Sequence, residues 1–512
     1  MRFTRSRWLA AISAAVVALA CVSAQAAPPR YGGTLHVKLR ASSVSLDPRE
    51  WIPGSLSSSA SEKLASLVYD RLVTLDDRAR FQPALAAEWS HDAAGRNWQF
   101  RLRSGVRFSD GGVLTPADAV ASLQATLGKG FEVTPAENGV TIRAAHPVSD
   151  LLAQLASGRN FIFRVQPDGT LLGTGPFFVA ESVAVAPVEA NPSATKPAKV
   201  KFQANEGAWS GRPFVDFVDV TLGEPPLRQL LDLQVGKADI AEIAPDLVRK
   251  GRLEGVRIWS SLPRTLVALR FDDGLASPAS DQLREALWLA LDRDTMANVL
   301  LQREAQPADS LLPQWLSGYA SLFESPMNLQ RARELRAAFS AGAPGAAQPL
   351  RLRVDAPGDL FKLMGERVAV NARQANLLVQ VALPLSASNS PVPAAGLHLF
   401  AWHYDSLSPR TELEDFLKQL REGTNLPVNT TDPEQLFVQE RRLLEERRIL
   451  PLVLLPEYAG VRANVHNWNA SAWGDWRLAD VWLDDSEDPM TTKTPMGTQK
   501  NGSPARNQGA RP

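Results

Sequence analysis

Segments with the two-residue period of a strand alternate along this chain with segments carrying the 3.6-residue period of a helix, and that alternation restricts the fold to α/β lobes. After Gly32-Gly33, the apolar residues Leu35, Val37 and Leu39 are interleaved with polar ones, which predicts a half-buried strand. Ser59 to Val73 places Leu64, Leu67, Val68 and Leu72 near one helical stripe, and Trp98 to Leu102 alternates again before the turn residues Gly105, Asp110, Gly111 and Gly112. In Thr115-Pro116-Ala117-Asp118 a capping hydroxyl, a first-turn proline and an acid three residues on predict a helix start, with the helix running to about Leu127. Further along, Val215 to Val220 reads as a strand and Leu227 to Val235 as a helix closed by Gly236. Thr265 to Phe271 is another strand, followed by a helix across Leu283, Leu287, Ala290 and Leu291. Asp432-Pro433 opens a helix whose Glu440 to Arg448 stretch is assigned to a charged outer face, and Pro451 to Leu455 reads as a buried strand.

With 512 residues the chain exceeds what one hydrophobic core holds, so two or three lobes are expected, with clefts between them. The 55 Lys and Arg balance the 55 Asp and Glu, so no basic field draws in nucleic acid or anionic lipid.

Arg2, Arg5 and Arg7 precede an apolar run from Trp8 to Val22 and the small-x-small triplet Ala24-Gln25-Ala26, the pattern of an export signal cut after Ala26. The alternative is a membrane anchor, for which the run is shorter than the roughly 20 residues needed. The single cysteine, Cys21, lies in this segment, so the mature chain is expected to fold without thiol or disulfide. Ala18-Leu19-Ala20-Cys21 also permits a lipoprotein reading in which Cys21 is acylated. Ala186 to Pro197 is a Pro/Ala-rich loop by composition, and 485–512 lacks periodic apolar residues and reads as a disordered tail.

In order, Tyr31-Gly32-Gly33-Thr34-Leu35 with Ser45-Leu46-Asp47-Pro48, Val68 to Val73, Pro83 to Trp89 and Leu102 to Gly111 resemble the opening blocks of the family 5 extracellular solute-binding proteins. That group includes dipeptide-, oligopeptide- and nickel-binding components of bacterial importers. Gly173-Thr174-Gly175-Pro176-Phe177, Gly236 to Ile240 and Arg284 to Arg293 resemble its later blocks, so the likeness runs over roughly residues 30 to 484. The middle lobe is short for the family, Asp272-Asp273 replaces an Asn-rich segment, and the stretch near 190 lacks an aromatic cluster.

The resemblance implies a periplasmic binding protein-like α/β fold: two large lobes joined by a two-strand hinge, plus a small inserted third domain. The implied division is 27–46 with 173–262 and 455–484 for lobe I, 47–172 for the inserted domain II, and 263–454 for lobe III. It also implies a monomer in the periplasm that captures a peptide or related small solute between lobes I and III and presents it to an ABC permease. A chelated metal such as nickel, or a saccharide, is the alternative cargo.

Peptide binders of the family hold the ligand's α-amino group with the aspartate of a Trp-x-x-Asp-x-x-x-Pro block. Trp402-His403-Tyr404-Asp405-Ser406-Leu407-Ser408-Pro409 has that spacing, which implies Asp405 as the ammonium anchor; the alternative makes it a turn residue. In an extended segment Trp402 and Tyr404 share one face and could wall a pocket, or Trp402 could be core. Arg410 could fork onto a ligand carboxylate or lie solvated on the surface. His398 and His403 lack metal-ligand spacing, so neither a protein-only metal site nor a cofactor is expected. Without a Gly-x-Ser-x-Gly elbow, a phosphate loop or a mature cysteine nucleophile, the sequence does not read as an enzyme; a secreted hydrolase is the less favoured class.

Overall fold

The computed structural model describes residues 28–484 apart from 184–197, 273–274, 276–279, 320–322, 324–325, 343–348, 383–395 and 420–431. The expected signal with Cys21, the 186–197 loop and the 485–512 tail lie outside the described residues.

Among the described residues one eleven-stranded mixed sheet runs through the molecule. Its path is Phe177–Val183, Ala198–Ala204, Phe217–Leu222, Thr34–Leu39, Ile240–Glu242, Ile449–Val461, Arg257–Phe271, Leu397–His403, Leu350–Val354 and Val379–Ala382, with Gln306–Pro307 pairing off it. Thr34–Leu39 is parallel to both its neighbours. Leu35, Val37 and Leu39 are buried against Phe202, Val218 and Val220, as the alternation predicts.

Arg257–Phe271 and Ile449–Val461 pair antiparallel over nearly their whole length and each serves two cores. Ala459 and Val461 pack with Leu35, Val37 and Phe202, whereas Val267, Leu269, Leu450 and Leu452 pack with Met364 and Val368. The ladder is irregular between Ser260 and Thr265, where Pro263 faces Pro456, because a proline nitrogen donates nothing and its ring holds φ. Leu262 N bonds Ala472 O there instead. Only the 265–271 half of the first crossing strand is legible as a strand, since the prolines and polar residues before it obscure the period.

A separate four-stranded antiparallel sheet, Ala86–His91, Asn97–Leu102, Gly139–Ala144 and Phe131–Ala136, packs on the helix Pro116–Thr126. That helix starts at the expected capping box: Asp118 Oδ2 accepts from Thr115 N at 2.8 Å. Arg164 forks onto the same carboxylate with two 2.8 Å bonds.

The helix expected over 59–73 is Leu56–Val68, capped by Ser55. It ends early because the Val68 carbonyl accepts from Gly175 N, and a Cβ on Gly173 or Gly175 would collide with the Val68 backbone. Glu440 is not on an outer face. It is fully buried in the helix Pro433–Glu445, and its carboxylate accepts from the Leu311 and Leu312 amides and the Tyr319 hydroxyl.

Candidate functional site

The strand Leu397–His403 runs through the core cluster of Val267, Leu352 and Leu452 and delivers Asp405 to the point where three parts of the chain meet. From the 47–172 stretch, the Gly54 amide donates to Asp405 Oδ2 at 2.9 Å and the Gly54 carbonyl accepts from His403 N at 2.9 Å. Gly54 has φ +75°, and the Trp402 ring lies so close that any Cβ would overlap it. From the crossing strand, Arg264 O accepts from Tyr404 N at 2.9 Å. From the short turn Gly158–Asn160, Arg159 Nη2 lies 3.3 Å from Asp405 Oδ2 and Nη1 lies 2.7 Å from Asp415 Oδ2. Ser157 Oγ fastens that turn by donating to the Asp405 carbonyl at 3.0 Å.

Asp405 is buried, and burial pushes its carboxyl up to about 7 against the pull of Arg159 and the Gly54 amide. Its Oδ1 has no hydrogen-bond partner among the described residues; His403 Nε2 stands 3.8 Å away. Burial and the nearby Arg264 hold His403 down to about 3, so at neutral pH it carries no charge with which to balance Asp405. The Nε atoms of Arg71, Arg159 and Arg264 are likewise buried without a partner among the described residues. An unpartnered oxygen on Asp405 with an unpartnered nitrogen on the Arg159 beside it marks a place where further polar groups can be taken up.

Beneath this lies a second layer of charge. Glu62 accepts from Arg71 at 2.8 Å and from Gly158 N at 3.0 Å, with Arg264 at 3.9 Å. Lys63 sits between Glu457 at 2.9 Å and Glu242 at 3.3 Å. Burial alone would raise Glu457, but Lys63 and Arg264 outweigh it and hold the carboxyl well below the usual range.

The helix Pro409–Gln419 carries Glu412, which accepts from Trp402 Nε1 at 2.6 Å and from Ser406 N at 2.8 Å. Burial, with the charge of Asp405 beside it, pushes Glu412 up to about 8. A cavity of about 380 Å³ opens on the other side of Arg159, where Lys129, Asp150, Arg410, Asp415 and Lys418 line its wall.

Of the four residues singled out in the sequence, Asp405 stands on the buried side of Arg159 and Arg410 on the cavity wall. Arg410 Nη1 is 2.9 Å from Glu414 Oε1, and Nε is 3.7 Å from Asp150 Oδ2. Trp402 and Tyr404 do share a face, but it is packed in a core cluster with Leu311, Leu413 and Phe416, and neither lines the cavity. The Tyr404 hydroxyl is spent on the Leu311 carbonyl. Sequence reasoning missed Gly54, Arg159 and Glu412. Glu412 left a signal, an acid beside Leu413 and Phe416 on an apolar helical stripe; Arg159 left none.

Residues 80–419 match the model of the bacterial extracellular solute-binding proteins, family 5 middle region. A probable di/tripeptide-binding protein 5 of Pseudomonas aeruginosa is 25% identical over 349 residues, 61% of this chain and 65% of its own. The oligopeptide-binding protein AppA of Bacillus subtilis is 22% identical over 270 residues, 49% of each chain. The nickel-binding periplasmic protein of Escherichia coli is 24% identical over 351 residues, 60% of this chain and 64% of its own. The chain thus spans between about half and two thirds of the length of these relatives. In fold it is similar to a dipeptide-binding protein from Pseudoalteromonas sp. SM9913 in complex with Met-Leu, at TM-score 0.70 and 14% identity, covering 88% of this chain and 100% of that one. NikA from Brucella suis in complex with Fe(III)-EDTA superposes at TM-score 0.68 and 19% identity, covering 88% and 100%. With a family match across most of its length and the same lobed α/β architecture, the chain belongs to the bacterial extracellular solute-binding proteins of family 5.

Proposed function

We propose that the protein is a non-catalytic, periplasmic capture component of an ABC importer, and that it takes a peptide or related small solute carrying a free ammonium. The observation that carries this reading is Asp405: a buried carboxylate at the junction of three parts of the chain, with one oxygen unpartnered among the described residues. An ammonium donates to such an oxygen through a charge-assisted bond worth about 1.5–3 kcal/mol. The peptide-binding relatives support the same cargo class. Closure of lobes I and III about the crossing strands would exclude water and present a surface to the permease, driven by the solute's tighter hold on the closed form.

The nickel-binding relative supports a second cargo, a metal complex. The described residues contain no group of three or more His, Cys, Asp or Glu that could hold a metal ion, so such a metal would have to arrive chelated. Mass spectrometry of the solute released from natively purified protein separates the two cargoes. If it is a free-amine peptide, Asp405→Asn should weaken its binding by about 2–5 kcal/mol in calorimetry. The N-acetylated peptide should bind wild type poorly and lose little more on substitution. Equal binding of the free-amine peptide by wild type and Asp405→Asn would sink the reading.

A further inference from the structure

At Asp405 the place of a solute's cation is already held by a side chain of the protein. We propose that Arg159 is a tethered surrogate for the solute's cationic group, which an arriving ammonium or guanidinium displaces from Asp405 while Arg159 stays anchored to Asp415. This rests on the reading of Asp405 as the solute's anchor and names what competes for it.

The geometry of Arg159 is that of an exchangeable partner. Its guanidinium spans two carboxylates unequally, 2.7 Å to Asp415 and 3.3 Å to Asp405. Giving up the longer contact leaves the better one intact, so the charge is never stranded. The main chain does not have to move, because Ser157 Oγ and Gly158 N pin the turn to the Asp405 carbonyl and to Glu62. The side chain has room to shift, since it borders the 380 Å³ cavity that Asp415 also lines, and it retains 22% of its exposure. Arg159 also satisfies Asp405 incompletely: it and Gly54 both address Oδ2, and Oδ1 has no partner among the described residues. A mobile cation with several donors can address both oxygens, which the tethered fork does not. Arg159 thereby sets specificity, because a solute without a cationic tip offers Asp405 nothing in exchange for the guanidinium.

Chemical rescue tests this without knowing the natural solute. Protein stripped of solute by unfolding and refolding is titrated with methylguanidinium or methylammonium chloride against sodium chloride at equal ionic strength, with melting temperature as the readout. Wild type should respond no more than it does to sodium. Arg159→Ala should show a saturable rise of a few degrees with at least tenfold stronger apparent affinity than wild type, and the further change Asp405→Asn should abolish it. Should Arg159→Ala refold poorly, Arg159→Gln, which keeps most of the side-chain volume, is titrated with methylammonium to the same expectation. A response no larger than wild type, or one that persists without the Asp405 charge, overturns the proposal. Asp405-dependent peptide binding alongside a failed rescue would remove the role of Arg159 alone. Failure of both removes the anchor reading too.

Discussion

At the scale of single residues, acids in this protein act by where they are buried. Glu440 reads in the sequence as one of a run of surface charges, yet its helix turns it into the core, where two amides and a hydroxyl converge on it. Burial pushes its carboxyl up to about 7. A folded-state value above the unfolded one means that the native protein holds the proton more tightly. The associated stability is complete below the ordinary carboxylate range and is lost as pH rises through about 7. Glu440→Gln, which cannot ionise, should therefore gain on wild type by on the order of 1–3 kcal/mol between pH 5 and pH 8, read from urea melts at each pH. An unchanged gap would mean that Glu440 remains ionised. The same blindness hid Arg159: nothing in Ser157-Gly158-Arg159 announces a residue that reaches a remote part of the chain, because its partners lie about 250 positions away. Asp405, by contrast, is singled out by the spacing of a motif, and it stands just past the end of the strand Leu397–His403.

Elements were legible where local chemistry decides them. The capping box at Thr115, the Asp432 cap with Pro433 and the positive-φ Gly236 after the helix Pro226–Gln234 all stand where the residues put them. These signals act within a few positions, so no tertiary contact is needed to read them. Thr115→Ala removes one half of the box and should cost about 1 kcal/mol in denaturant unfolding. Asp118 keeps its fork from Arg164, so a loss several times larger would show that the two acts of Asp118 are coupled. The end of the helix Leu56–Val68 was misjudged because it is set by a glycine-lined crossing at Gly173 and Gly175, a contact over more than a hundred residues. The alternation within Trp98–Leu102, buried at Trp98, Phe100 and Leu102, held because an antiparallel sheet with one covered face enforces it.

Across the whole molecule, Lys63 fastens three segments at once: its own helix, Glu242 on the strand Ile240–Glu242 and Glu457 on a crossing strand. Lys63→Met keeps the stem but strands two buried carboxylates, so the unfolding free energy should fall by about 3–5 kcal/mol. A loss under 1 kcal/mol would show that water reaches the pair. The crossing strands carry a different consequence. Thr265 and Leu455 are paired neighbours on them, so the long stretch between these two points leaves and rejoins the molecule through a single doorway. A recombination event with seams at those positions would therefore transplant Asp405 and Asp415 together as one cassette. Gly54 and Arg159 would stay behind with the recipient. Offspring of such an exchange would inherit the carboxylate from one parent and its tethered cation from the other, so their compatibility decides whether a hybrid keeps, loosens or loses its parents' taste in solutes.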